Sequence, residues 1–186
     1  MQKRGASELR IYQPSPSEWQ QIQSTRRNLY FLLDDVQDTY NIGSFFRMAD
    51  AMGVRKMYLS GRSECPPNHR IQKAAVGTED IVAWEYLTDP LQALASFKSD
   101  HAEGQTIAIE LADNSIGITD LDVHLPLLLI LGHETDGISQ PVLDASDQIL
   151  QLPMYGVNIS MNVVVSAAMA LGVIEGKLVE ERAEKK

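Results

Sequence analysis

Short, continuously apolar segments alternate along the chain with segments of helical periodicity, and this alternation limits the possible folds more than any other feature. The six apolar segments predict β-strands that are buried on both faces. They are Leu29–Leu33, Val54–Ser60, Ile81–Tyr86, Thr106–Glu110, Pro126–Leu131 and Gln148–Leu152. Strands of this kind form parallel sheets, so we predict an α/β fold with a parallel sheet covered by helices on both faces.

Helical periodicity between the strands supports the same architecture. Gly53 ends the first helix, and Asp89 and Pro90 are an expected cap and first residue for the third. The predicted helices are Ile42–Met52, Asn68–Ala75, Pro90–Lys98 and Asn162–Lys177, with a further short helix possible just before Arg26 and Arg27.

A chain of 186 residues without internal repeats or a linker predicts one domain. We expect a short basic N-terminal segment over 1–28, the α/β domain over 29–178 and a charged tail over 179–186.

The net charge of −9 at first argues against a protein that binds nucleic acid. The charge is unevenly distributed, however. Residues 1–73 carry 11 basic and 7 acidic side chains, whereas residues 74–186 carry 5 and 18. RNA is therefore not excluded, and we predict a basic surface around residues 3–27, Arg47 and residues 55–73.

Cys65 is the single cysteine, so no internal disulfide is possible. A chain without disulfides is consistent with a protein of the reducing cytosol. A nucleophilic pair of Cys65 with His69 is conceivable, but an incidental loop thiol is favoured because no motif surrounds it.

The N-terminus lacks the apolar segment of a secretory signal, and no apolar segment is long enough to cross a bilayer. We expect a soluble cytoplasmic protein.

Asn41 and Arg47 stand out in the segment DTYNIGSFFRMADAMGV. Asn41 precedes or opens a helix, where capping is its ordinary role. Arg47 lies among side chains typical of a core, and an arginine in such surroundings often binds a phosphate or carboxylate.

A second segment, LLLILGHETDGIS, leads from a buried strand into Gly132, Glu134 and Gly137. Glycines in this position let the backbone approach a ligand and donate amide hydrogens to it. The segment is neither a Walker loop nor a GxGxxG fingerprint, and because no HExxH follows His133 we predict no metal site. Taken without the other segments, this one favours a plain tight turn.

A third segment, LQLPMYGVNISMN, joins a strand to the last helix, with Ser160 and Asn162 on either side of Met161. Ser160 could simply cap that helix. Two small polar residues at a strand-to-helix turn also suit a ligand pocket.

In this order and spacing, the three segments resemble the signature motifs of the SpoU/TrmH branch of the SPOUT RNA methyltransferases. The resemblance covers roughly residues 29 to 177. Met161 replaces the usual leucine of the third motif, a swap that conserves volume, and Val164 stands where many members have serine.

The resemblance implies a parallel α/β fold whose C-terminal part forms a deep trefoil knot, and a homodimer with the site at its interface. It implies that S-adenosylmethionine is the cofactor and that a ribose 2′-hydroxyl of tRNA or rRNA is methylated. The residues implied to bind the cofactor are Gly132, Leu152, Met161, Glu110, Leu131 and Gly137.

The same resemblance assigns the catalytic roles. Arg47 is implied to activate the ribose hydroxyl together with the substrate phosphate. Because arginine stays protonated, our hypothesis is that Arg47 binds the adjacent phosphate and stabilises the developing alkoxide. It is expected to act with Asn41, Glu134, Ser160 and Asn162. Arg26, Arg27 and Arg47 are the predicted RNA contacts. The alternatives are a non-catalytic dimeric RNA-binding protein with the same fold, and a base methyltransferase of another SPOUT branch.

Overall fold

One six-stranded sheet forms the centre of the protein. The computed structural model describes residues 14–184. The strands are β1 Arg27–Asp34, β2 Val54–Ser60, β3 Ala83–Leu87, β4 Gln105–Ile109, β5 Leu127–Gly132 and β6 Gln148–Leu150. They lie in the order β3-β2-β1-β5-β4-β6, and every neighbouring pair is parallel, which confirms the predicted sheet.

Six α-helices connect and cover the strands. They are α1 Pro16–Thr25, α2 Thr39–Ala51, α3 His69–Ala75, α4 Pro90–Asp100, α5 Gln140–Asp144 and α6 Val163–Glu184. The predicted cap of α4 is confirmed, because the Asp89 carboxylate accepts a hydrogen bond from the Leu91 N–H at 2.9 Å.

Two helix starts differ from the sequence prediction. Asp38, rather than Asn41, caps α2 by accepting from the N–H groups of Tyr40 and Asn41. Likewise Asn162, rather than Ser160, caps α6 through the N–H of Val164 at 2.9 Å. The cap of α2 lies three residues earlier than predicted, so the side chain of Asn41 is available for other contacts.

Alternate residues of β1 face opposite layers of helices. Leu29, Phe31 and Leu33 are fully buried in a cluster that includes residues of α2, α3 and α6. Tyr30 and Leu32 face a second cluster with residues of α4 and α5. Helices therefore cover both faces of the sheet, as predicted.

Several boundaries differ from those predicted. β1 begins at Arg27 rather than Leu29, because the Arg27 N–H already bonds to the Gly53 carbonyl at 2.8 Å. α6 runs beyond Lys177 to Glu184, through residues that are mostly good helix formers. The trefoil knot and the three-part division of the chain stay predictions. The basic residues before 14 lie outside the described residues.

The sheet has a switch point between β1 and β5. From β1 the chain proceeds outward to β2 and β3, whereas β5, β4 and β6 lie on the other side. Ligands of open α/β sheets bind at the carboxyl ends of the strands near such a point. Within residues 14–184, no helix is long and apolar enough to span a membrane.

Candidate functional site

The three sequence motifs meet at the carboxyl edge of the sheet. β1 and β5 are neighbours, with Asp34 paired to Gly132 at their ends. The loop after β1 leads into α2, the loop after β5 carries the second motif, and the chain after β6 carries the third. Parallel pairing thus brings together segments that are about a hundred residues apart in the chain.

The loop after β5, residues 132–139, forms a compact turn. The N–H and carbonyl groups of His133 and Gly137 bond to each other, both at 3.0 Å. A side chain at Gly132 would overlap the backbone of Gly137 and Ile138, and Gly137 has a φ of +71°. Only glycine suits these positions, which explains both glycines of the second motif.

Two carboxylates hold this loop against the sheet. Glu110 accepts a hydrogen bond from the Ile138 N–H at 2.9 Å. The buried Asp34 accepts from both the N–H and the hydroxyl of Ser139, at 2.9 and 2.7 Å. The sequence analysis did not single out Asp34, although a carboxylate at the end of an otherwise apolar strand is a signal for such a role.

A chain of hydrogen bonds links the three motifs through Glu134, Asn41 and Asn162. The Asn41 Nδ2 donates to Glu134 Oε1 at 2.9 Å, and the Asn162 Nδ2 donates to Asn41 Oδ1 at 3.0 Å. Glu134 also accepts from the backbone N–H groups of Gln37 and Asp38, at 3.2 and 3.0 Å. One side chain from each motif is therefore part of a continuous network, here called the three-motif network.

Glu134 is the acceptor in each of its three hydrogen bonds, from the Asn41 side chain and from the Gln37 and Asp38 N–H groups. Partial burial raises its pKa, but the hydrogen bonds from Asn41 and from the backbone at Gln37 and Asp38 outweigh this effect, so the pKa lies below its ordinary value. Glu134 is ionised at neutral pH and acts as an anchor for the start of α2.

A cavity of about 390 Å³ opens beside this network, between the ends of β4, β5 and β6. It combines apolar side chains with the backbone of the glycine loop, the ordinary composition of a small-molecule site. All six residues expected to bind the cofactor line it, together with Glu134 and Ser160; the six are Gly132, Leu152, Met161, Glu110, Leu131 and Gly137.

Arg47 lies apart from this cavity. It is exposed on α2, and among residues 14–180 it has no hydrogen-bond or ion-pair partner. Asn41 and Asn162 do not line the cavity either, but they reach Glu134 through the three-motif network. The structure therefore brings four of the five predicted catalytic residues to one place and leaves Arg47 facing solvent.

The predicted RNA contact at Arg26 requires correction. Its side chain is only 4% exposed and is paired with Asp50 at 2.8 Å, and it also donates to the Val54 carbonyl at 3.1 Å. Arg27 is paired with Glu175 on α6. Arg26 therefore holds α2 to the sheet, and its guanidinium is not exposed to a ligand.

The surroundings of Cys65 favour the loop-thiol interpretation. Its Sγ contacts the Ser63 carbonyl at 3.8 Å, and burial together with nearby Glu64 raises the pKa of the thiol. A raised pKa lowers the thiolate fraction that a nucleophile needs. Within the part of the chain that is described, no group of three His, Cys, Asp or Glu side chains is arranged to hold a metal ion.

Residues 28–172 match the family model of the SpoU rRNA Methylase family, and the chain belongs to this family.

Individual relatives agree with this assignment. The chain is 28% identical over 166 residues to a tRNA (guanosine(18)-2′-O)-methyltransferase of Aquifex aeolicus, which covers 88% of this chain and 74% of that protein. It is 29% identical to a putative TrmH family tRNA/rRNA methyltransferase of Staphylococcus haemolyticus over 75% of this chain, but it spans only 55% of that relative. The crystal structure of the A. aeolicus TrmH/SpoU tRNA modifying enzyme superposes with a TM-score of 0.75 at 25% identity, covering 89% of this chain and 84% of that one.

Proposed function

We propose that the protein is an S-adenosylmethionine-dependent methyltransferase that modifies a ribose 2′-hydroxyl of tRNA or rRNA. The observation that carries this proposal is the cavity built by the second and third motifs, joined to the first motif by the three-motif network. The A. aeolicus relative is named for 2′-O-methylation of a guanosine in tRNA, which supports this reaction class.

The residues around the cavity fit the cofactor. Leu131, Leu152 and Met161 provide apolar surface for an adenosine, and the close backbone packing at Gly132 keeps the loop that lines the cavity compact. An rRNA methyltransferase of Sinorhizobium meliloti that shares this fold has been solved with AdoMet bound. When bound, S-adenosylmethionine supplies a methyl group on a positively charged sulfur, and the thioether leaves as the new C–O bond forms.

The protein has to orient the ribose hydroxyl and stabilise its developing negative charge, because this hydroxyl is a weak nucleophile at neutral pH. Arg47 stays protonated and has a planar array of donors suited to phosphate. We assign Arg47 to the phosphate next to the target ribose and to the developing alkoxide, with the proton leaving to a phosphate oxygen or water. The three-motif network positions the start of α2, and hence Arg47. Ser160 lines the cavity beside the three-motif network.

Substitution of Arg47 tests this assignment. We expect Arg47→Ala to lower the rate of methyl transfer to RNA by about 10²–10³, the usual effect of removing a donor that stabilises developing charge. Transfer of radiolabelled methyl groups from S-adenosylmethionine to RNA prepared without this activity would measure the loss.

Cofactor binding provides the control for that experiment. Arg47 does not line the cavity, so calorimetry should give the same affinity for S-adenosylmethionine in Arg47→Ala as in the wild type. Full activity of Arg47→Ala would refute the assignment. A wild-type protein that binds no S-adenosylmethionine would instead favour the non-catalytic RNA-binding alternative.

The proposal also includes a homodimeric assembly and a cytoplasmic location. Val165, Met169 and Val179 are 50%, 40% and 61% exposed on α6, and Gly172 and Gly176 of the same helix have open space above them. Tyr155 and Val157, beside the cavity, are almost fully exposed. Such an apolar surface supports pairing with a second copy of the chain.

A further inference from the structure

The ten lysines and arginines between residues 14 and 180 differ in whether their charge is already engaged within the fold. Five form ion pairs with carboxylates: Arg26, Arg27, Lys56, Arg62 and Lys98. Two more donate to backbone carbonyls, Arg55 to Arg26 and Lys177 to Thr119. Arg47, Arg70 and Lys73 are exposed and have no such partner within the described part of the chain.

These three cations belong to two helices that pack against each other. At Gly43 of α2 an added side chain would overlap the Ala74 side chain and the Ile71 carbonyl of α3, so the two backbones are in close contact there. Arg47 follows Gly43 by four residues and lies on the same side of α2. The unpaired positive charge between residues 14 and 180 is therefore concentrated where α2 and α3 meet.

On α3, the buried residues Ile71 and Ala75 face inward, while Arg70 and Lys73 are exposed. Arg70 and Lys73 are three residues apart, so their side chains are neighbours on the helix surface. Arg70, Lys73 and Arg47 together are here called the α2–α3 basic surface. The same helix α2 begins with Asn41 of the three-motif network.

We propose that Arg70 and Lys73 bind backbone phosphates of the RNA substrate and that the α2–α3 basic surface leads the RNA toward the three-motif network. This inference rests on the proposed function, because it names the surface through which the same site receives RNA. The net charge of −9 repels a polyanion over most of the molecule, so cations free of internal partners are needed to offset that repulsion. This assignment places RNA contact on α3 instead of at Arg26.

Salt dependence of RNA binding tests the proposal without knowledge of the natural substrate, because phosphate contacts do not depend on base sequence. The probe is a fluorescein-labelled, unmodified tRNA transcript, and the proteins are full-length wild type, Arg70→Gln, Lys73→Gln and the double variant. Lys177→Gln, which removes one charge on α6, is the matched control. Anisotropy titrations from about 50 to about 250 mM KCl give the slope of log K against log salt concentration.

Each single substitution should reduce the magnitude of this slope by about 0.7–0.9, and the double substitution by about 1.4–1.8. Lys177→Gln should keep the wild-type slope. In the methylation assay the KM for RNA should rise in the double variant, while kcat and the affinity for S-adenosylmethionine stay at wild-type values.

Two outcomes would overturn the proposal in distinguishable ways. If the wild type binds and methylates RNA but the double variant has the same slope and KM as Lys177→Gln, the assignment to α3 is wrong and the proposed function stands. If the wild type binds neither the transcript nor S-adenosylmethionine, both the surface and the proposed function fail.

Discussion

At the scale of single residues, the glycine loop after β5 shows how closely the site depends on side-chain size. Gly132 is enclosed by the backbone of Gly137 and Ile138, and Glu110 holds the Ile138 N–H at 2.9 Å. The three atoms nearest to an added methyl group all belong to the backbone, which cannot move aside as a flexible side chain could. A single added methyl group must therefore displace the loop that lines the cavity.

We expect Gly132→Ala to weaken binding of S-adenosylmethionine by about tenfold or more, equivalent to about 1.4 kcal/mol. Calorimetric titration would measure this change. Gly117→Ala is the matched control, because the nearest atoms to its added methyl group would be side-chain oxygens of Asp120 and Thr119 at 3.9 Å. Equal affinities for the two variants would contradict the close packing at Gly132.

At the scale of elements, an ion pair connects the loops that follow β1 and β2. Asp35, whose φ of +60° is unusual for a residue other than glycine, accepts from the Arg62 guanidinium at 2.5 and 3.1 Å and from its N–H at 2.6 Å. The bonds from Arg62 and Gln37 outweigh the opposite effect of burial and lower the pKa of Asp35 from 3.8 to about 2. The Asp35–Arg62 pair holds the loop after β1, in which the N–H groups of Gln37 and Asp38 contact Glu134.

The lowered pKa predicts how stability depends on pH. Ionised Asp35 stabilises the folded state above pH 3.8, its ordinary pKa, and this stabilisation is lost as the pH falls toward the folded pKa of about 2. Asp35→Asn, which tolerates the same backbone conformation, should lower the free energy of unfolding by about 1 kcal/mol at about pH 6 and much less at about pH 2, since Arg62 is largely exposed. Urea denaturation at both pH values measures the difference.

Arg62→Gln serves as the partner control in that experiment. It should cause a similar loss at the higher pH, and the double variant should lose little more than either single variant, because both remove one interaction. Fully additive losses would show that the pair does not stabilise the fold.

At the scale of the whole molecule, the exposed apolar surface of α6 lies on the helix that the third motif opens. Arg27 of β1 is paired with Glu175 on this helix, so α6 is held in a defined position against the sheet. An interface on α6 would therefore form next to the cavity. Assembly and activity should depend on each other.

Met169→Glu should convert the proposed dimer into monomers and abolish methyl transfer, because a charge is placed within the apolar surface. Light scattering coupled to gel filtration measures the mass. Leu91→Glu is the control, since Leu91 is similarly exposed, at 37%, but lies on α4. A fully active Met169→Glu monomer would contradict the role of the interface.

The pattern of residues along the chain was enough to predict the sheet, the covering of both its faces and the three motifs. These features depend on local periodicity, on glycine positions and on residue order, all of which can be seen in the chain. The buried residues of β1 illustrate this, because an unbroken apolar strand needs helices on both sides whatever their order.

Which polar groups meet could be learned only from the folded chain. The link from Asn41 to Glu134 and Asn162, the support of the glycine loop by Asp34, and the burial of Arg26 against Asp50 all join distant parts of the chain. The sequence shows that a side chain is charged but not whether the fold provides its partner. For that reason the sequence could not show which cations are paired. Between residues 14 and 180, Arg47, Arg70 and Lys73 are the exposed cations without an internal partner.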